Sequence, residues 1–195
     1  MSENKINLLK PSGTTDILPE EMEKRRWLAR KIEDHFKQYG YQQINIPIYD
    51  FFELFEFRSG EKIINDIFAF KDPPIHKVEN PKLYALRPEY TAPIVRFYLT
   101  SELLHQPKPV KVFYIGPCFR YDEPAPGRFR QFTQAGIEMF GADTPEADAE
   151  ILIVAMKLMD SLGLKEYTLR INDLTFLRTY LEEQNVPLKL QNKIF

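Results

Sequence analysis

Residues 111–119 (KVFYIGPCF) and 132–140 (FTQAGIEMF) are two runs of strand type separated by the turn-rich DEPAPGRFR. The first is dense in Val, Phe, Tyr and Ile, and the second alternates well enough to be its partner. Together they predict an antiparallel pair with DEPAPGRFR as the connecting loop. The rest of the chain must then provide what packs on that pair.

Trp27, Leu28, Ile32, Phe36 and Tyr39 recur at helical spacing and predict a helix over about 20–39. Pro19 falls near its start, acidic residues occupy the first turn, and Gly40 follows as a left-handed terminator. Trp27 is expected to pack against the protein. YQQINIPIYD reads as extended, with Pro47 confining that part to a sheet edge or an interface. Short apolar runs at 67–70 and 83–86 flank the loop KDPPIHKVENP and predict a hairpin. TAPIVRFYLTSELL predicts a helix with Thr91 as N-cap, Pro93 in its first turn, and Ile94, Val95, Tyr98 and Leu99 on one face. Thr144, Pro145 and Glu146 open another helix, whose apolar side carries Ile151, Leu152, Ala155, Leu158, Met159 and Leu162. A strand at 167–171 and a helix from 174 to about 183 complete the expectation. Strands mostly adjacent in sequence, with helices between and after them, indicate an α+β fold, a mostly antiparallel sheet flanked by helices.

At 195 residues the chain is long enough for one sizeable core. Its 26 Lys and Arg against 28 Asp and Glu create no global positive field, so any nucleic-acid contact must come from a local patch or from sequence not present here. The single cysteine, Cys118, permits no intramolecular disulfide and belongs to no zinc-ligand spacing, which suits a reducing cytosol; its apolar strand position predicts an inert thiol. His35, His76 and His105 are dispersed and form no metal or triad pattern. No stretch approaches the roughly eighteen apolar residues of a membrane span, and the N-terminus has no leader pattern. The expectation is a soluble, untargeted cytoplasmic protein with no membrane partner and no bound metal.

The chemistry concentrates in FRYDEPAPGRFRQFTQAGIE, residues 119–138. Arg120 ends one predicted strand while Arg128 and Arg130 lie across the loop, so all three can converge on a phosphate or carboxylate, which the planar guanidinium binds through paired hydrogen bonds. The alternative is that they are solvated or paired with Asp122 and Glu123. Phe132, Gln134, Gly136 and Glu138 share one strand face by two-residue spacing. Gly136 leaves room for a ligand against the backbone, Gln134 and Glu138 can read its polar groups, and Phe132 offers a stacking surface. In LRPEYTAP, Glu89 and Thr91 can accept from an ammonium group, or Thr91 caps the helix and Glu89 is solvated.

These segments, with PSGTTDILPEE and LFEFRSGE, resemble the N-terminal catalytic part of a class II aminoacyl-tRNA synthetase, most specifically the histidyl-tRNA synthetase family. The helix ending near Tyr39 and the strand with Pro47 resemble motif 1, which implies a homodimer interface; residues 119–138 resemble motif 2. The resemblance implies that Arg120 is the catalytic residue, contacting the α-phosphate of ATP and the substrate carboxylate. It places Arg128 on the outer phosphates, Phe132 on the adenine, and Asp122, usually Glu in the family, at the adenine edge, while Arg130 keeps the reading of supporting the loop. Glu89, Thr91 and Gln134 would hold the α-amino group of histidine and Glu138 its imidazole. The implied reaction is ATP-dependent formation of histidyl-adenylate, with Mg²⁺ accompanying the nucleotide, and transfer to histidine tRNA. Motif 3, an RGLxYY-like histidine segment and an anticodon-binding domain are not found, so the chain is expected to correspond to the first half of such a protein and to bind nucleotide weakly alone. The alternative is a non-catalytic histidine sensor resembling the ATP phosphoribosyltransferase regulatory subunit.

Overall fold

A computed structural model describes residues 8–58, 66–73, 79–188, 190 and 191. The chain divides into two compact units, Met1–Leu158 and Met159–Phe195.

The first unit is organised by the expected hairpin. Strands β5 (Val110–Phe119) and β6 (Gln131–Phe140) pair antiparallel over their full length, and β1 (Gln42–Gln43) adds to β5 in parallel. A second three-stranded sheet has the order β2 (Tyr49–Phe51), β4 (Leu83–Leu86), β3 (Ala69–Lys71), all antiparallel. The predicted 67–70/83–86 hairpin is thus present, and its loop lies partly outside the described residues, as does His76. Two sheets replace the one expected because the chain changes partners between β1 and β2. Pro47 lies in that interval and has no N–H to give either ladder.

Helix α1 (Pro19–Gln38) begins with its proline, carries Glu20 and Glu21 in the first turn, and ends ahead of Gly40, whose φ is +81°. Phe36 is buried and its ring meets Phe113 of β5 at 5.5 Å. His35 is also buried and donates from Nε2 to the Val154 carbonyl of α4 (Pro145–Ser161) at 2.9 Å. Thr144 caps α4 through the Ala147 amide, as predicted. On α4, Val154 and Leu158 are the buried residues, whereas Ala155 is exposed. Trp27 does not pack as expected: it is 52% exposed, because only the second half of α1 reaches the sheet.

Helix α2 (Phe52–Arg58) places Phe55 in a small core with Ala85 and Ala92. Helix α3 (Thr91–Thr100) joins this core to the main one, where Tyr90 and Ile94 pack with Ile46, Val112, Tyr114 and Cys118. Leu99 is exposed and therefore off the buried face assigned to it.

In the second unit, α5 (Leu174–Glu183) matches the predicted helix, and the Asp173 carboxylate caps it at the Thr175 amide, 2.8 Å. Residues 167–171 form no strand. They are β-prone, but among the described residues no neighbouring strand offers them a hydrogen-bond ladder.

Candidate active site

The β5–β6 register sets Cys118 opposite Phe132, Gly116 opposite Gln134, Tyr114 opposite Gly136 and Val112 opposite Glu138. Phe132, Gln134, Gly136 and Glu138 therefore share a face, as predicted, and that face meets the start of α3. Two glycines here are required by close approach. A Cβ on Gly116 would collide with the Tyr90 hydroxyl, and one on Gly136 would lie 2.6 Å from Tyr114 Cζ. Gly136 thus admits the Tyr114 ring, and the space expected for a ligand against its backbone is taken by that side chain.

Tyr114 and Tyr90 stack at 4.0 Å between centroids and 9° between planes, and the Arg87 guanidinium carbon lies over the Tyr90 ring, 3.9 Å from its centroid. Arg87 is 1% exposed. It donates from Nε to the Pro117 carbonyl at 2.7 Å and from Nη1 to those of Ile46 and Pro47 at 2.9 and 3.1 Å. This buried column forms the floor of the site.

One end of the face is acidic. Glu89 accepts from the amides of Thr91 (2.6 Å) and Ala92 (3.0 Å), and the Thr91 hydroxyl donates to Glu138 at 3.2 Å. Thr91 is therefore not the N-cap: α3 starts at Thr91 itself, after Tyr90, and the longer Glu89 side chain reaches the first amides. The capping alternative is thereby corrected, since Glu89, partly buried, serves the first amides and Thr91 is released to hold Glu138. Carboxylate oxygens retain lone pairs beyond these contacts, so the group can still accept from a cation.

Burial pushes the Glu138 carboxyl above its ordinary value; the Thr91 hydroxyl pulls it down, and the nearby Glu89 pushes it up. The contribution of this group to stability is complete below the unfolded pKa, about 4.3, and is lost as the pH rises through the higher folded value. Glu138→Gln is thus expected to melt above the parent chain at about pH 7, with the gap closing as the pH falls toward about 4. Thermal melts across that range check this, and a gap independent of pH counts against it.

The other end is basic. Arg120 donates from Nε to the Pro88 carbonyl at 2.9 Å and stands 5.3 Å from the Phe132 ring. The three arginines make different contacts. Arg130 lies 3.8 Å over Tyr121 and donates to the Asp122 carbonyl at 3.2 Å, and its amide donates to Gly13, so it supports the loop. Arg128 is exposed in a tight turn whose backbone bonds join it to Ala125. Among the described residues, no ion pair joins these arginines to Asp122 or Glu123. The face is consequently polarised, with a guanidinium at one end and paired carboxylates at the other.

Cys118 is fully buried, and burial raises its thiol to about 11, in accord with the inert thiol expected. No described helix is long and apolar enough to cross a membrane.

The histidyl-tRNA synthetase family profile matches residues 13–195. The chain belongs to that family. It is 43% identical over 185 residues to the histidine–tRNA ligase of Methanocaldococcus jannaschii, covering 95% of this chain and 42% of that protein. It is 44% identical over 161 residues to the Pyrococcus abyssi ligase, covering 83% and 36%. Among solved structures, the apo histidyl-tRNA synthetase of S. aureus matches with a TM-score of 0.66 at 34% identity, over 82% of this chain and 36% of that one. A Bacillus halodurans protein described as an ATP phosphoribosyltransferase regulatory subunit/histidyl-tRNA synthetase has a TM-score of 0.71 at 24% identity, over 85% and 40%, and shares the fold. The chain thus spans less than half the length of these relatives, and the regulatory-subunit alternative gains no better support than the ligase.

Within this face, sequence reasoning overlooked Tyr90, Tyr114 and Gly116 and gave Arg87 no role. A signal was available: Tyr114 and Gly116 alternate with Cys118 along the same face of β5, so each glycine sits where a facing aromatic needs room.

Proposed function

We propose that this chain carries the first part of the catalytic core of a class II histidine–tRNA ligase. The carrying observation is the polarised face, where Arg120 beside Phe132 stands at one end and Glu89, Thr91 and Glu138 at the other. A zwitterionic amino acid matches that polarity, with its carboxylate toward Arg120 and its ammonium toward Glu89, Thr91 and Gln134. Glu138, whose proton affinity is raised by burial and Glu89, suits the imidazole. Phe132 takes the adenine, Asp122 its edge, and Arg128 the outer phosphates of ATP, which brings its Mg²⁺.

In the reaction so read, a carboxylate oxygen of histidine attacks the α-phosphorus and pyrophosphate leaves, forming histidyl-adenylate. A hydroxyl of the terminal adenosine of histidine tRNA then displaces AMP. Arg120 aligns the two anions and stabilises charge accumulating on phosphorus. Exposed Trp27 and Leu28 on α1, and exposed Tyr49, Phe51 and Phe70 on the second sheet, support a homodimer through the motif 1-like segment. The setting is cytoplasmic.

Calorimetry of the chain with histidine, ATP and a non-hydrolysable histidyl-adenylate analogue tests the reading. The analogue should bind most tightly, and Arg120→Ala should weaken it roughly ten- to hundredfold while histidine alone is less affected. Histidine binding without any nucleotide response would instead identify a sensor, and parallel loss of both ligands with an intact fold would refute the division of roles.

A further inference from the structure

Gln134 is held at both ends of its amide by side chains of β5. Its Oε1 accepts from Cys118 Sγ at 3.2 Å, and its Nε2 donates to the Tyr114 hydroxyl at 3.5 Å. Neither neighbour is free to move: both are buried, and Tyr114 is clamped between Tyr90 and Gly136. A primary amide has ends of nearly equal size and a soft terminal torsion, so hydrogen bonds decide which end points where. The choice matters beside a cation, because oxygen attracts an ammonium group and an N–H repels it. A thiol that stays protonated donates to oxygen, whereas sulfur is a weak acceptor for an N–H.

We propose that Cys118 and Tyr114 are positioning residues that orient the Gln134 amide, so that its oxygen serves the amino group of the bound amino acid. The two residues touch no substrate and act through Gln134. Resting on the histidine reading above, the inference adds that recognition of the amine depends on two buried groups beneath the site.

The test compares the parent chain with Cys118→Ala, Cys118→Ser and Tyr114→Phe, titrated with histidine and with imidazole-4-propionate, which keeps ring and carboxylate but lacks the amine. Cys118→Ala and Tyr114→Phe should lose about tenfold in histidine affinity, the effect of one hydrogen bond, with propionate binding unchanged. Cys118→Ser keeps a donor and should restore histidine binding. Equal loss of both ligands marks a merely structural role and overturns the proposal, as does no loss of either. A second readout needs no ligand: the Gln134 side-chain amide proton pair, assigned by its disappearance in Gln134→Leu, should shift in Cys118→Ala and Tyr114→Phe. An unmoved pair overturns the inference even if histidine binds. A shifted pair in a chain that binds no histidine keeps the orientation device and removes the histidine reading.

Discussion

Arg87→Met is expected to cost the chain about 3 kcal/mol or more, since each buried carbonyl left without its donor loses roughly 1–3 kcal/mol. Methionine matches the length and bulk of the arginine stem but leaves the carbonyls of Pro117, Ile46 and Pro47 unserved. These acceptors belong to β5 and to the interval between β1 and β2, so the lost bonds join separate parts of the fold. A domain of this size is stable by only about 5–15 kcal/mol, which makes the loss a large fraction of the total. Arg87→Lys should recover little, because a single ammonium cannot reproduce the planar fork that reaches three carbonyls. The denaturation midpoint, followed by fluorescence and far-UV dichroism, measures the effect. A midpoint within error of the parent's would show that the column does not hold the sheets together.

Gly116→Ala should be nearly as damaging, which is unusual for alanine at a strand position, where glycine is ordinarily the weaker residue. The added methyl meets the Tyr90 hydroxyl and lies 3.1 Å from Arg87 Nη2. Tyr90 is held by Arg87 on one side and Tyr114 on the other, and cannot turn away without breaking the stack. Overpacking of this kind costs roughly 1–3 kcal/mol. The hydroxyl is the obstacle, so Tyr90→Phe in the same chain should recover most of the loss. Thermal melts of the single and double variants decide the matter, and a double variant no more stable than Gly116→Ala would place the clash elsewhere.

Legibility from sequence followed the range of the interactions involved. The β5–β6 pair, the 67–70/83–86 hairpin, and the helices opened by Pro19 and Thr144 were readable because alternation, turn residues and caps act over a few residues. Residues 167–171 carried the same local signal and did not become a strand, since that requires a ladder partner. The shared face of Phe132, Gln134 and Glu138 was readable from two-residue spacing. The supporting part read for Arg130 is the one it has, but its partners were not readable: Arg130 turns to Tyr121 and Gly13, distant in sequence or reached by loop geometry.

The sequence by itself determined the hairpin, the face carrying the polar residues, and the family, because spacing and motif are properties of order along the chain. Tertiary structure alone decided what Gly136 makes room for, which residue serves the first amides of α3, and what Arg87 holds. Each of these depends on groups brought together from distant positions, Tyr114 against Gly136 and Arg87 against Ile46 and Pro117. Steric fit and hydrogen-bond satisfaction are settled only at such contacts, where a buried polar group must find its partner or destabilise the fold.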